Sequence, residues 1–468
     1  MRTVFLVVQN DAHFVEIARV ARLLKASGKY KPIIWFLNSY PVLLRDVEKC
    51  RSEGWEFISS GSPSVEAHTF NYTAWKKLVS YLPRKLRKLP AWFYYVQGSL
   101  RYRKWIKALV KKTNSHIHRY KPDLMIVCEE NVGYATHVVI RTCRANHICT
   151  VIVPYTIANA TEAAEYFYNF PGHQISNNLI SNFVAKKYPH WVYEYRDRKL
   201  LRLPTTKIIA MEQLGYRPAH PWVLNSEETA LIAVESERML EYYRNEKLSE
   251  DRLIVTGALY DDVLAESAHR SRELRDRLIA ELGLREDLPI LLCALPPSQF
   301  PRDCEFADYA SLLSFWMGSL SQVKGWNVVI RPHPRVTEEQ IHDLERFGIK
   351  ISNWDTASLI PLCDLYVASV SATIRWASAC GKPVVNYDVY QMNYADYQNV
   401  GGVLTVFSKS AYRDTINRLT SDPAYYEKIS ALQLQEMSKW GCLDGKSSER
   451  MLKLFDDLVD AKTRRKTK

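Results

Sequence analysis

Two short segments carry side chains suited to holding a phosphate. The first reads Val328-Val329-Ile330-Arg331-Pro332-His333-Pro334-Arg335, an apolar β-branched run that stops at one imidazole and two guanidinium groups. Arginine offers a planar fork of donors that matches phosphate oxygens. The second reads Leu365-Tyr366-Val367-Ala368-Ser369-Val370-Ser371-Ala372-Thr373, then a helical pattern through Ala379, then Gly381-Lys382-Pro383-Val384-Val385. Hydroxyls where a helix begins can join its free N–H groups in binding an anion. The plain alternative is that Ser369, Ser371 and Thr373 only cap that helix and His333 only fills a turn. Two such turns, in this order and each after a strand, favour a nucleotide mono- or diphosphate.

A third segment suits proton transfer. Glu129-Glu130-Asn131-Val132-Gly133 follows an apolar run, and paired carboxylates raise each other's affinity for a proton, which fits one of them to act as a base. Charge stabilisation of a helix start is the competing reading. Asp11 and His13, after the first apolar run, form a second candidate pair.

These segments need a scaffold that brings strand ends together. Thr3–Gln9, Pro32–Leu37, Asp123–Cys128 and Cys149–Val153 read as strands, with helices over Phe14–Ser27 and Ala135–Ala145 between them. A second alternating set has strands at Leu253–Gly257, Ile290–Ala294, Trp326–Ile330, Ile349–Ile351, Leu365–Ala368 and Val384–Asn386, with a helix over Ala310–Val323. Alternation of this kind predicts an α/β protein of two doubly wound, Rossmann-like domains with parallel sheets, facing across a cleft. Ligands in such sheets bind beyond the carboxyl ends of the strands, where the phosphate turns lie. The hinge falls near Asp251 or Gly257. We therefore expect residues 1–252 to form an acceptor-side domain, 253–455 a nucleotide-binding domain and 456–468 a basic tail. Thr161–Tyr216 is aromatic and polar, with weak periodicity.

The net charge of +12 over 468 residues is concentrated. Residues 67–122 contain fourteen Lys or Arg and no Asp or Glu, and the rest of the chain is close to neutral. That insertion includes Lys85, Arg87 and Lys88, then Trp92-Phe93-Tyr94-Tyr95, then Arg101, Arg103 and Lys104. Cations among aromatic rings suit an anionic membrane surface or an anionic acceptor. A solvated helix face and nucleic-acid binding are the alternatives, the latter weakened by the lack of a recognition motif. The nine cysteines are scattered and never form C-x-x-C, which favours reduced thiols. Cys143, His147 and Cys149 lack the second half of a zinc site, so no structural metal is expected. The apolar run at Met1–Val8 is too short for a signal segment or a membrane span, so the chain is expected to stay in the cytoplasm.

The order Val255-Thr256-Gly257-Ala258-Leu259-Tyr260-Asp261-Asp262, then Arg331-Pro332-His333-Pro334, then Ser369-Val370-Ser371-Ala372-Thr373 with Gly381-Lys382-Pro383, resembles the two-domain GT-B glycosyltransferases of bacterial surface polysaccharides. The sialyl-, polysialyl- and Kdo-transferases and the teichoic-acid glycerophosphotransferases are the most similar. Asp444-Gly445-Lys446-Ser447-Ser448-Glu449-Arg450 is similar to the start of the final helix in such enzymes. The motif resemblance covers residues 253–455; the first domain matches in architecture alone. It implies that His333, Ser369, Ser371 and Thr373 hold the donor phosphate and that Arg331 and Arg335 add charge. Gly257 would let the backbone approach the donor, and Asn353 would lie near the base. It further implies a nucleotide-sugar donor, cytidine-linked (CMP-Kdo or CMP-sialic acid) before uridine-linked, and no metal or other cofactor. Glu129 and Glu130 resemble the acidic pair of polysialyltransferases, although two residues rather than none separate them from Gly133. The implied activity is sugar transfer to a surface-glycan or lipid-linked acceptor at the inner membrane face. A CDP-glycerol-type transferase, a non-hydrolysing UDP-sugar 2-epimerase and a non-catalytic nucleotide-binding homologue are the other readings. The epimerase is disfavoured because Asp-Ser-Gly is expected where this chain has Ser369–Thr373.

Overall fold

The computed structural model describes residues 1–59, 89–155, 160–175, 179–226, 230–296, 304–332, 347–393 and 395–466. His333 and Arg335, and Lys85, Arg87 and Lys88, lie outside the described residues. The chain divides into two compact units. The first comprises Met1–Ala233, Tyr243–Ile254 and Leu452–Lys468, and the second Val234–Tyr242 and Val255–Met451.

The first unit is built on a seven-stranded sheet. Its strands are β1 (Arg2–Val8), β2 (Tyr30–Phe36), β3 (Glu56–Ser59), β4 (Leu124–Val127), β5 (Cys149–Ile152), β8 (Ala230–Val234) and β9 (Leu253–Val255), in the order β3-β2-β1-β4-β5-β8-β9. The pairings of β1 with β2 and β4 are parallel. Val4 to Val8 are fully buried, as a central parallel strand covered on both faces requires. Between β5 and β8 the aromatic stretch folds as helices and an antiparallel hairpin, β6 (Val192–Tyr195) with β7 (Arg198–Leu201). Its weak periodicity reflects short elements of mixed type.

The basic insertion ends in a long helix, Leu89–Tyr120. Tyr102, Ile106, Leu109, Thr113 and Ile117 are buried along one face, at the three- and four-residue steps of a helix. Arg101, Lys104, Lys107 and Lys111 are exposed. Arg103 is half-buried, and its Nη1 donates to Gln213 Oε1 at 3.2 Å. Among the described residues, no helix is long and apolar enough to cross a membrane.

The second unit repeats the logic with six strands: β10 (Ile290–Ala294), β11 (Asn327–Arg331), β12 (Lys350–Ile351), β13 (Leu365–Ala368), β14 (Val384–Tyr387) and β15 (Val403–Val406). Their order is β12-β11-β10-β13-β14-β15, and the pairings are parallel. Stacked rings anchor its core, with Trp316 and Tyr387 at 5.4 Å and Tyr387 and Tyr412 at 4.9 Å. Removing such a ring costs about 3–5 kcal/mol. The C-terminal helix runs from Ser447 to Lys466, so the expected basic tail is largely the last turns of a helix.

Candidate functional sites

Each sheet has a point where the strand order reverses: between β1 and β4 in the first unit, and between β10 and β13 in the second. Loops leaving the carboxyl ends of these strands diverge there and open a crevice. The sequence-derived candidates fall at both points.

In the first unit, β1 ends at Val8 and the next helix starts at Asp11, capped by Asn10 Oδ1, which accepts from His13 N at 3.0 Å. The cap places His13 on the inner side of the first turn. Its ring is fully buried against Tyr155, centroids 4.7 Å apart. Neither ring nitrogen makes a hydrogen bond; Nε2 lies 3.6 Å from Glu129 Oε1. Glu129 follows β4 and is 6% exposed. Thus His13 faces Glu129, while Asp11 sits in the first helical turn.

The expected carboxylate pair is split. Glu130, adjacent in sequence, turns the other way and meets His137 Nδ1 at 2.7 Å, while His137 Nε2 lies 2.6 Å from Tyr216 O. His137 thus bridges the Glu130 carboxylate and the Tyr216 carbonyl, one at each ring nitrogen. Glu130 N donates to Asn225 Oδ1 and Glu130 O accepts Asn225 N, which holds that link in place. The two acids therefore have different histidine partners.

One residue of this site was not singled out in the sequence. Arg202, just after β7, is 4% exposed. Its Nη2 donates to Asn131 Oδ1 at 3.0 Å, and the same oxygen accepts Gly133 N at 2.9 Å. The guanidinium stacks over Phe167 and Trp222, 5.1 and 5.9 Å from the ring centroids. Burial pulls its pKa down to about 10, opposed by Glu129 and Glu130. Arginine in an aromatic, weakly periodic stretch carries no local signal; only the fold returns it to Glu129.

In the second unit, the Ser369–Thr373 turn follows β13. Val370 has φ +45°, a left-handed conformation that a β-branched side chain strongly disfavours. The turn is held from outside. Asn386 Oδ1, on β14, accepts Val370 N at 2.8 Å, and Tyr397 Oη donates to Ser371 O at 3.1 Å. Ser371 Oγ and Thr373 Oγ1 bond each other at 2.7 Å, and Thr373 also meets Tyr366 Oη at 2.5 Å. These two hydroxyls act inside the turn. Ser369 differs: it is 5% exposed, and its Oγ makes no hydrogen bond. The following helix, Thr373–Ala379, has only seven residues. A buried ion pair, Arg375 with Glu235, anchors it, and Tyr260 Oη donates to the same carboxylate at 2.5 Å.

Arg331 ends β11; burial lowers its pKa while Asp355 opposes that shift, and its Nε has no hydrogen-bond partner. Asn353 is exposed in the loop after β12. Gly257 has φ +75°, and a Cβ there would lie 2.1 Å from Ser447 Oγ. Its missing side chain thus makes room for the start of the C-terminal helix. Asp262 accepts Ser447 N and Ser448 N at 2.9 and 2.8 Å, and Arg450 Nε donates to Thr256 O at 2.8 Å. The 255–262 and 444–450 segments therefore form one clamp. Among the described residues, no group of three His, Cys, Asp or Glu is placed to hold a metal ion.

Comparison with solved structures decides the architecture. The calicheamicin glycosyltransferase CalG4 superposes with a TM-score of 0.54 at 14% identity, covering 98% of each chain. The fold is GT-B. The UDP-GlcNAc 2-epimerase of Neisseria meningitidis, bound to UDP-GlcNAc, has a TM-score of 0.51 at 11% identity, covering 98% of this chain and all of the other. The wall teichoic acid polymerase TagF also reaches 0.51 at 11% identity, covering 100% of this chain and 90% of its own. No protein-family model and no curated protein sequence matches the chain. At these identities the GT-B likeness establishes architecture, and activity has to be argued from the two sites.

Proposed function

We propose that this protein is a glycosyltransferase that moves a sugar from a nucleotide-activated donor to a hydroxyl of a surface-glycan or lipid-linked acceptor. The observation that carries this reading is Glu129. It is a nearly buried carboxylate at the switch point of the first sheet, 3.6 Å from a His13 ring whose nitrogens make no hydrogen bond. A carboxylate so placed can take the proton of an acceptor hydroxyl as the new glycosidic bond forms. The His13 ring nitrogen beside it could then accept that proton, restoring the Glu129 carboxylate next to an imidazolium.

In this reading the strained Ser369–Thr373 turn and Arg331 hold the donor's phosphates, with Ser369 Oγ as the hydroxyl left for an oxygen of the leaving group. His333 and Arg335 remain candidates for the same phosphates, and Asn353 for the base. Charge developing on the leaving phosphate would then be met by protein donors, without a metal or other cofactor. The donor we favour is cytidine-linked, as the His-Pro and Ser/Thr turns suggest; two of the solved GT-B neighbours hold UDP-GlcNAc or UDP instead. The exposed cations of the Leu89–Tyr120 helix fit docking at the anionic inner face of a membrane, which would keep the protein peripheral and cytoplasmic.

Thermal unfolding with CMP, CDP, UDP, GDP and ADP at equal millimolar concentration tests the donor. A ligand at about 100 times its dissociation constant adds about 2.7 kcal/mol. Selective stabilisation by CMP or CDP supports the cytidine reading, and selective stabilisation by UDP moves it to uridine. Conversion of UDP-GlcNAc to UDP-ManNAc without an acceptor would replace transfer by epimerisation. No stabilisation by any nucleotide would overturn the assignment.

A further inference from the structure

We infer that Arg202 is a substrate-recognition residue and that the sugar accepted at the Glu129 site carries an anionic group, a carboxylate or a phosphate, beside the reacting hydroxyl. This rests on the transferase reading and specifies its acceptor. Among the described residues, the Arg202 guanidinium makes one hydrogen bond, to Asn131 Oδ1, and no ion pair within 4 Å. Its Nε is buried without a hydrogen-bond partner. Five donors on a planar guanidinium with one partner leave most of the fork unspent. A charge this deeply buried ordinarily has a carboxylate within bonding distance, because an underpaired one is costly.

What holds the group in place is shape. Phe167 and Trp222 hold the guanidinium carbon over their rings, and Asn131 fixes one edge, itself pinned by Gly133 N. A pre-oriented fork with unspent donors is the arrangement that receives a carboxylate or phosphate through two parallel bonds. Glu129 stands near enough to pull the Arg202 pKa upward. A bound sugar would therefore present its anionic group to Arg202 and a hydroxyl to Glu129. A neutral sugar offers single hydroxyl acceptors, without the charge or the paired oxygens that match the fork, and so gains less at Arg202.

The test uses the full chain and three small probes: glucuronate, glucose 6-phosphate and methyl β-glucoside. Each is titrated by ligand-observed NMR, and nucleotide stabilisation is read on the same samples. At least one anionic sugar should bind about ten- to a hundredfold more tightly than the neutral glucoside. The carboxylate and phosphate arms show which anion is preferred. Arg202→Gln should reduce that probe to the level of the glucoside, and Arg202→Lys should recover only part of the gap. The lysine variant keeps charge and stem packing but lacks the fork, so it remains informative if the glutamine variant fails to fold. Equal binding of all three sugars to the wild-type chain, or anion binding unchanged in Arg202→Gln, would overturn the inference. A chain that binds a nucleotide but shows no anion preference loses this inference alone. A chain that binds neither loses the transferase reading as well.

Discussion

The two switch points lie in sheets of the same strand order yet are furnished differently. At the first, between β1 and β4, buried polar side chains from three stretches of sequence converge: His13, Glu129 and Arg202. At the second, between β10 and β13, the working parts are a strained backbone turn, a hydroxyl and one arginine at a strand end. Under the proposed function the contrast follows from what each must do. Proton transfer needs a titratable group held out of water, whereas gripping a phosphate needs oriented donors and no change of protonation. On that proposal one topology would serve a chemical site and a holding site, and the difference lies in the loops that leave the same strand ends.

The largest expected effect separates these roles. Glu129→Gln keeps shape but removes the base, so turnover should fall about 10²- to 10⁴-fold, the usual contribution of general base catalysis. Nucleotide stabilisation should be unchanged, because the phosphate turn belongs to the other unit. Transfer assays beside thermal shifts check both halves. A variant with normal turnover would remove Glu129 from the chemistry. Loss of nucleotide binding would blur the division between the sites.

Next in size is Gly257→Ala, which sharpens what counts as site. The added methyl would meet Ser447 Oγ, on a backbone with positive φ. We expect a loss of about 2–4 kcal/mol in unfolding free energy from overpacking plus backbone strain. Denaturant unfolding measures this directly. Weaker nucleotide binding at full stability would instead return Gly257 to the donor pocket. Ser369→Ala follows. A hydroxyl bonded to a phosphate oxygen contributes about 1.5–3 kcal/mol, so nucleotide affinity should fall about ten- to a hundredfold at nearly constant stability. Ser371→Ala is the control: its hydroxyl is engaged within the turn and should affect stability before affinity.

The unequal legibility of the two sites has a physical origin. The strands of the second unit stood out because Ile290–Ala294 and Leu365–Ala368 are short apolar runs bounded by turn residues, and the phosphate turn lies wholly within nine residues. Local sequence suffices when a site is local. The first site is assembled over nearly two hundred residues, from His13 to Arg202. The sequence offered both acids and His13 but paired them wrongly, since adjacent carboxylates seemed to belong together. The reversal of chain direction after β4 sends Glu129 to His13 and Glu130 to His137. Strand β8 was missed because a five-residue apolar run has no periodicity to separate it from a helix fragment. The 255–262 and 444–450 segments were both noticed, but their contact through Asp262 and Arg450 joins residues far apart in the chain.

The smallest expected effect concerns that clamp and depends on pH. Asp261 is 1% exposed, and its carboxylate accepts Ala258 N at 3.0 Å and Cys442 N at 3.2 Å. Burial pushes its pKa up to about 7, and the Glu235 charge adds to that; the two N–H donors and Arg375 oppose it. In the unfolded chain an aspartate titrates near about 3.9. The folded state therefore binds more protons between those values. Stability contributed by this group is present below the unfolded pKa and is lost as pH rises toward 7, with a slope of at most about 1.4 kcal/mol per pH unit. Asp261→Asn keeps an oxygen for one N–H bond and removes the titration. Melting curves from pH 5 to pH 8 should therefore converge or cross, the wild type losing stability relative to the variant with rising pH. If the two instead run parallel, Asp261 stays ionised through that range, and the clamp owes its stability to the N–H bonds and not to a buried proton.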